Sequence, residues 1–111
     1  MEKIYKVENR DVGLKVTART PLLFNEIFHE DMFDILENAD TNDAIDRAFM
    51  KVAFVMAKQF DDSLTTFDDW ADSFEKIPSL YELSGYSFEL FNISNKTEVE
   101  PKKEVAQSNE E

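Results

Sequence analysis

The segment Asn42–Phe60, "NDAIDRAFMKVAFVMAKQF", carries the strongest fold-determining pattern in the chain. Its apolar residues recur at the i, i+3, i+4 and i+7 positions of an amphipathic helix. Further apolar residues, such as Phe54 and Val55, leave little of the circumference polar in its middle. Asp43 near the start and Lys58 near the end match the helix dipole. We therefore predict a helix over this whole segment, lying at the centre of the fold.

Two shorter helices are predicted before the central one. Thr20 followed by Pro21 is typical of a helix start, with a hydroxyl N-cap before a proline at the first helical position. The apolar residues of "PLLFNEIF" then form one face of a short helix. A second helix is predicted to begin near Asp31 and to stop by Ala39, before the turn-prone "DTND".

Two further helices are predicted after the central one. The first spans residues 66–76, with Phe67, Trp70 and Phe74 on one face. Pro78 ends it and stands near the start of the second, which covers residues 79–93. Gly85 and the strand-like alternation of "YSFEL" speak against a helix there, but the recurring apolar residues favour one.

Residues 1–19 are predicted to be extended. Val12, Leu14 and Val16 alternate with polar residues or glycine at the period of two expected for a half-buried strand. Residues 4–7 supply a partner strand across the turn-like "ENRDVG". A two-stranded ribbon is marginal alone and must lie on the helices. The predicted fold class is therefore mainly all-α, a small bundle of four to five helices with a short N-terminal β-ribbon.

The predicted domain covers residues 1–94, including the extended segment 1–19. Residues 95–111, "NKTEVEPKKEVAQSNEE", contain few apolar side chains. Burial of so little apolar surface does not offset the entropy lost on ordering the segment, so we predict a disordered acidic tail.

The charge of the chain is strongly negative, with 24 Asp and Glu against 12 Lys and Arg, a net charge of −12. Nucleic acid and anionic membrane surfaces should repel such a chain, so neither is expected as a partner. No apolar run approaches the length of a membrane span. Cysteine is absent and the N-terminus, "MEKIYKVENR", lacks the apolar region of a signal peptide. These features suit a cytoplasmic protein.

Residues 61–72, "DDSLTTFDDWAD", raise the question of a cation site. Taken as a calcium-binding loop, they place Thr66 where the sharp turn needs glycine and Asp72 where a bidentate glutamate is needed. The alternative is that Thr66 caps a helix, with Asp68 and Asp69 favoured at its positive end. We prefer the capped helix.

No constellation of residues indicates catalysis. His29 is the single histidine and stands beside two acidic residues, as a surface histidine at a helix junction does. The chain has no phosphate-binding glycine loop and no nucleophile elbow. We therefore expect a non-enzymatic protein with no catalytic, cofactor-binding or metal-binding residues.

The remaining candidate for function is the apolar surface. The chain has ten Phe, three Tyr and one Trp, which is rich for 111 residues. One interpretation is simply a well-filled core. The other is that part of this apolar surface packs against another copy of the chain or another protein. The candidate partner-binding residues are Phe24, Phe28, Phe33, Phe88, Leu90, Phe91 and Ile93.

The order of these features resembles the tail assembly chaperones of long-tailed bacteriophages and of prophages in Gram-positive bacteria. The resemblance covers residues 12–94 and rests on "GLKVTAR", "PLLFNEIF", "AFMKVAFVMAKQFDD", "TTFDDWADSF" and "PSLYELSGYSFELFN". It implies a helical, self-associating chaperone that coats the tape-measure protein, with the tail tube protein as a further expected partner. Such a protein acts in the host cytoplasm and is absent from the mature virion.

The acidic composition also fits a second class of function. An acidic inhibitor, or DNA mimic, occupies a basic nucleic-acid site on another protein. Its binding should depend steeply on salt, whereas a chaperone that binds through apolar groups should tolerate salt.

Overall fold

Residues 1–99 are described by the computed structural model, which is mainly helical with one two-stranded antiparallel sheet at the N-terminus. Its elements in chain order are β1 (Glu2–Val7), β2 (Arg10–Lys15), α1 (Thr20–Phe28), α2 (Met32–Asn38), α3 (Asn42–Phe60), α4 (Phe67–Asp72) and α5 (Pro78–Val99). The predicted helical class with an N-terminal ribbon is confirmed. α5 extends past the predicted domain boundary at residue 94, and residues 100–111 of the predicted tail lie outside the described residues.

The β1–β2 hairpin turns within two residues, tighter than the sequence suggested. Val7 pairs with Arg10, so Glu8 and Asn9 form the turn. Both have positive φ angles, 55° and 61°. Positive φ at both turn positions suits the right-handed twist of a hairpin. The face of the hairpin that bears Tyr5 and Val7 is buried.

Helix α3 is the centre of the fold, with the bounds that its sequence predicts. The hydroxyl of Thr41 caps it by accepting a hydrogen bond from the N–H of Ala44 at 3.1 Å. Residues 48–57 are buried apart from the half-buried Lys51. The helix contacts β2 and each of the other four helices. An apolar surface on nearly every side is therefore what this position requires.

Helix α5 packs on both α3 and the hairpin. The buried hydroxyl of Ser87 donates a hydrogen bond to the carbonyl oxygen of Phe49 in α3, at 2.9 Å. The rings of Tyr86 and Tyr5 stack with their centroids 4.3 Å apart. Burial, together with the negative charge of Glu89, raises the pKa of the Tyr5 hydroxyl. The helical prediction through Gly85 is confirmed.

Three helix boundaries show which sequence signals hold. Asp31 caps α2 and Thr66 caps α4, each by accepting a hydrogen bond from the N–H three residues on. The predicted cap at Thr20 is wrong. Its hydroxyl lies inside α1, accepts a hydrogen bond from the N–H of Thr17 and donates one to the side-chain oxygen of Gln59. Thr20 therefore ties α1 to the end of α3.

Helix α4 ends at Asp72, so the prediction of a helix over residues 66–76 is wrong beyond that point. The guanidinium of Arg10 donates hydrogen bonds to the carbonyl and hydroxyl oxygens of Ser73, at 3.0 and 3.2 Å. The carboxylate of Glu8 accepts hydrogen bonds from the N–H groups of Glu75 and Lys76. The hairpin tip thus occupies backbone groups that a longer helix would use itself.

Candidate protein-binding face

The seven predicted partner-binding residues do not lie together. Phe24 and Leu90 are buried, with 0% and 1% of their surface exposed, and belong to the core. The sequence-based prediction is corrected for these two residues, because a core side chain is not presented to a partner. Phe33, Phe88 and Ile93 are exposed by 54%, 48% and 38%.

Phe28 is half-buried and belongs to a different group of rings. Its ring contacts those of Phe24, Phe54 and Phe67, with centroids 4.9 to 6.3 Å apart. The ammonium of Lys51 lies over its outer side, 5.2 Å from the ring centroid. Phe28 therefore packs over the interior between α1, α3 and α4, apart from the rings of Phe33, Phe88 and Phe91.

Four phenylalanines form a continuous row that we call the aromatic face: Phe33 on α2, Phe49 on α3, and Phe88 and Phe91 on α5. Phe49 is buried and serves as the floor of the row. Its centroid lies 5.2 Å from Phe88 and 5.8 Å from Phe91, both in edge-on geometry. Phe33 lies 6.5 Å from Phe91. Three predicted residues, Phe33, Phe88 and Phe91, are therefore brought together by the tertiary fold.

A groove of about 470 Å³ continues from the aromatic face. Phe33 and Phe91 belong to both, and Met32 and Pro21 add further apolar surface to the groove. Val16, Thr17, Ala18 and Thr20, from the segment that leads into α1, form a second wall. Met1 lies in the same groove, where the N-terminal ammonium donates a hydrogen bond to the carbonyl oxygen of Val16 at 3.0 Å.

The exposed side of α5 adds apolar residues that the sequence reasoning did not select. Ile77, just before α5, and Tyr81 are exposed by 85% and 51%. Tyr81, Gly85 and Phe88 follow one another at helical spacing, and open space surrounds Gly85. This spacing is visible in the sequence. It does not identify the exposed side of α5 by itself, because apolar residues also fill the buried side of the same helix.

A run of acidic residues that the sequence reasoning also missed, which we call the acidic edge, extends through α2 and the start of α3, the helices that carry Phe33 and Phe49. Acidic residues occupy every third position through α2 and the start of α3, with no basic residue between the first and the last. They are Asp31, Asp34, Glu37, Asp40, Asp43 and Asp46. The two ion pairs found among the described residues, Lys6–Asp11 and Lys51–Glu30, do not involve this acidic edge.

The aspartate-rich segment after α3 contains local hydrogen bonds and helix caps. The carboxylate of Asp61 accepts bonds from the hydroxyl and N–H of Ser63, which lower the pKa of Asp61. Thr66 caps α4, as predicted.

Within residues 1–99, no group of three or more metal-ligating side chains was found. His29 ends α1 in the left-handed conformation and is exposed.

The arrangement can offer a partner apolar contact bordered by negative charge. No helix among the described residues is long and apolar enough to cross a bilayer. Comparison with protein-family models, curated proteins and solved structures gave no match for this chain. The features of the chain that bear on function are therefore the aromatic face, its groove and the acidic edge.

Proposed function

We propose that this chain is a non-enzymatic chaperone of the phage tail assembly type, which covers apolar helices of the tape-measure protein. It would act in the cytoplasm of the bacterial host and be absent from the mature virion. The observation that carries the proposal is the aromatic face, where Phe33 and Phe88 are each about half exposed, with Phe88 against the buried Phe49 and Phe33 against Phe91. The resemblance in the order of sequence features supports the same class.

The physical basis is the covering of a long amphipathic helix. Such a client exposes an apolar stripe and associates with itself unless the stripe is covered. Helices commonly bind by laying this stripe in an apolar groove. Phe33 and Phe91 provide apolar side chains on such a groove. The negative charge of the chain keeps a coated complex soluble by repulsion.

Co-expression with a helical fragment of a tape-measure protein tests the proposal. We expect the fragment to remain soluble with the intact chain and to precipitate when Phe33→Ser and Phe88→Ser are combined. Ile4→Ser is the matched control, because Ile4 is equally exposed but lies on the hairpin. If the fragment precipitates with the intact chain, or if the double variant protects it equally well, the proposal is wrong.

The acidic edge favours one alternative, an inhibitor that occupies a basic nucleic-acid site on another protein. The two functions differ in their dependence on salt. Binding to a basic site through charge should weaken by orders of magnitude as salt rises, whereas apolar binding persists. An affinity that falls by orders of magnitude in high salt and is unchanged by Phe33→Ser would favour the inhibitor.

Self-association and contact with the tail tube protein remain parts of the proposal. Sedimentation of the full chain over a range of concentrations measures the first. Co-purification with the tail tube protein, compared with the tape-measure fragment, measures the second. A chain that stays monomeric at all concentrations would remove self-association without affecting the binding of the client.

A further inference from the structure

We infer that the helix bound by the aromatic face carries lysine or arginine along the flank that lies beside α2 and the start of α3. The inference names the chemistry of the partner and rests on the proposed function. Its basis is the acidic edge, whose carboxylates stand on or beside the helices that carry Phe33 and Phe49 and take part in neither ion pair found among the described residues.

The acidic edge lies close to the aromatic face because of helix geometry. Glu37 follows Phe33 by four residues on α2, and Asp46 precedes Phe49 by three on α3. Residues three or four apart are neighbours on one side of a helix. A partner seated on the phenylalanine rings would therefore approach these carboxylates and displace water from them.

The charge of the partner decides whether that displacement is favourable. A neutral apolar helix removes water from the carboxylates without supplying hydrogen bonds in its place, which opposes binding. A helix with lysine or arginine on that flank returns charge-assisted contacts in place of the water. Each exposed pair contributes little, so several together give roughly a tenfold preference.

The two walls of the groove differ in charge, which is why one flank of the partner is specified. The wall formed by Val16, Thr17, Ala18 and Thr20 contains no acidic residue. The N-terminal ammonium also lies on that side. Basic side chains on both flanks of the partner would meet repulsion there. The preferred partner therefore has its cationic residues on the flank nearer to α2.

A second copy of this chain is a less favourable occupant. A symmetric pair that used the aromatic face would bring two acidic edges together, and like charges across an interface are unfavourable. The described residues of α2 contain no lysine or arginine that could relieve this repulsion.

Three helical peptides with one shared apolar stripe test the inference. They carry lysine, glutamine or glutamate along one flank, and their affinities for the full chain are measured by fluorescence anisotropy. At low salt we expect the lysine peptide to bind roughly tenfold more tightly than the glutamine peptide, and the glutamate peptide to bind most weakly. The difference should shrink as salt rises, while the glutamine peptide keeps its affinity.

Two pairs of variants assign the effect to the aromatic face and its acidic edge. Glu37→Gln with Asp46→Asn should remove most of the preference for lysine, and the glutamine peptide should bind slightly more tightly because no carboxylate then loses its water. Glu26→Gln with Asp62→Asn is the matched change of charge elsewhere, on α1 and after α3, and should keep the preference. Phe33→Ser should weaken all three peptides. Circular dichroism and urea midpoints establish that each variant is folded.

Several outcomes separate this inference from the proposed function. Equal binding of the lysine and glutamine peptides, with loss in Phe33→Ser, overturns the inference and leaves an apolar binding protein. Binding of none of the peptides overturns both. If a lysine peptide that lacks the apolar stripe binds equally well, binding does not use the aromatic face, and both proposals are wrong. Self-association that Phe33→Ser abolishes, with no binding of peptides, shows that the face pairs two copies of the chain.

Discussion

The carboxylate of Glu8, at the tip of the N-terminal hairpin, accepts a hydrogen bond from the hydroxyl of Ser79 in the first turn of α5. The two residues are 71 positions apart in the chain. The same carboxylate accepts bonds from the N–H groups of Glu75 and Lys76, at 3.1 and 2.9 Å. The Glu8 side chain therefore orders the part of the α4–α5 connection that leads into α5. Arg10 binds the start of the connection through the carbonyl oxygen of Ser73.

Substitution Glu8→Gln should lower the melting temperature of the chain. The amide is uncharged, and its single carbonyl oxygen replaces two carboxylate oxygens that accept three bonds. Thermal unfolding followed by circular dichroism measures the effect. Glu2→Gln is the control, because Glu2 is exposed on the same hairpin. Equal melting temperatures for the two variants would show that the Glu8 contacts do not stabilise the fold.

The effect of Glu8 should depend on pH. The hydroxyl of Ser79 and the N–H groups of Lys76 and Glu75 lower the pKa of Glu8 in the folded chain. A glutamate in the unfolded chain titrates near its ordinary pKa, about 4.3. The stabilisation is therefore present above that pH and is lost as the pH falls through the lower folded pKa. The difference in melting temperature between the intact chain and Glu8→Gln should shrink in acid, and a constant difference would contradict the assignment.

Gly13→Ala should destabilise the chain. A Cβ atom at Gly13 would lie 2.3 Å from carbon atoms of the Phe60 ring, so the ring must move away from the hairpin. Overpacking of this kind costs about 1 to 3 kcal/mol of unfolding free energy. Urea denaturation measures the loss. Combining Gly13→Ala with Phe60→Ala removes the overlap, and the double variant should lose less than the sum of the single ones. A strictly additive loss would contradict the contact.

Gly85→Ala, in contrast, should stabilise the chain. Gly85 lies inside α5, has no positive φ, and no neighbouring atom would lie within 4 Å of an added Cβ atom. Alanine in a helix interior is more stable than glycine by about 0.5 to 1 kcal/mol. We expect a higher urea midpoint for this variant. A lower midpoint would show that the glycine is needed within the folded chain itself.

Phe24→Ala and Phe33→Ala should separate core from surface. Phe24 is fully buried and contacts the ring of Phe28, so its truncation should cost about 3 to 5 kcal/mol of unfolding free energy. Phe33 is 54% exposed, and its truncation should cost about 1 kcal/mol or less. Urea denaturation of both variants measures the difference. Similar losses would mean that Phe33 is a core residue and not part of a binding face.

Much of the local structure could be predicted because its causes are local. The bounds of α3 follow from its apolar period and from the cap at Thr41. Asp31 and Thr66 cap α2 and α4 in the same manner. The end of α4 could not be predicted. Its carbonyl and N–H groups are taken by Arg10 and Glu8, which are more than sixty positions away.

The candidate site divides in the same way. Composition and spacing identified Phe33, Phe88 and Phe91 as apolar residues without saying which surface they share. The spacing of the acidic residues from 31 to 46 is likewise readable in the chain. Their position beside an aromatic row is not, because it depends on how α2, α3 and α5 pack.

The sequence by itself determined the helical class, the hairpin and the central helix, since period, caps and charge act over a few neighbouring residues. Only the tertiary structure decided which phenylalanines are core and which are surface. Phe24 and Phe33 are the same residue type on adjacent short helices, yet one is buried and the other is half exposed. Burial depends on the packing of distant elements around α3, which no local pattern records.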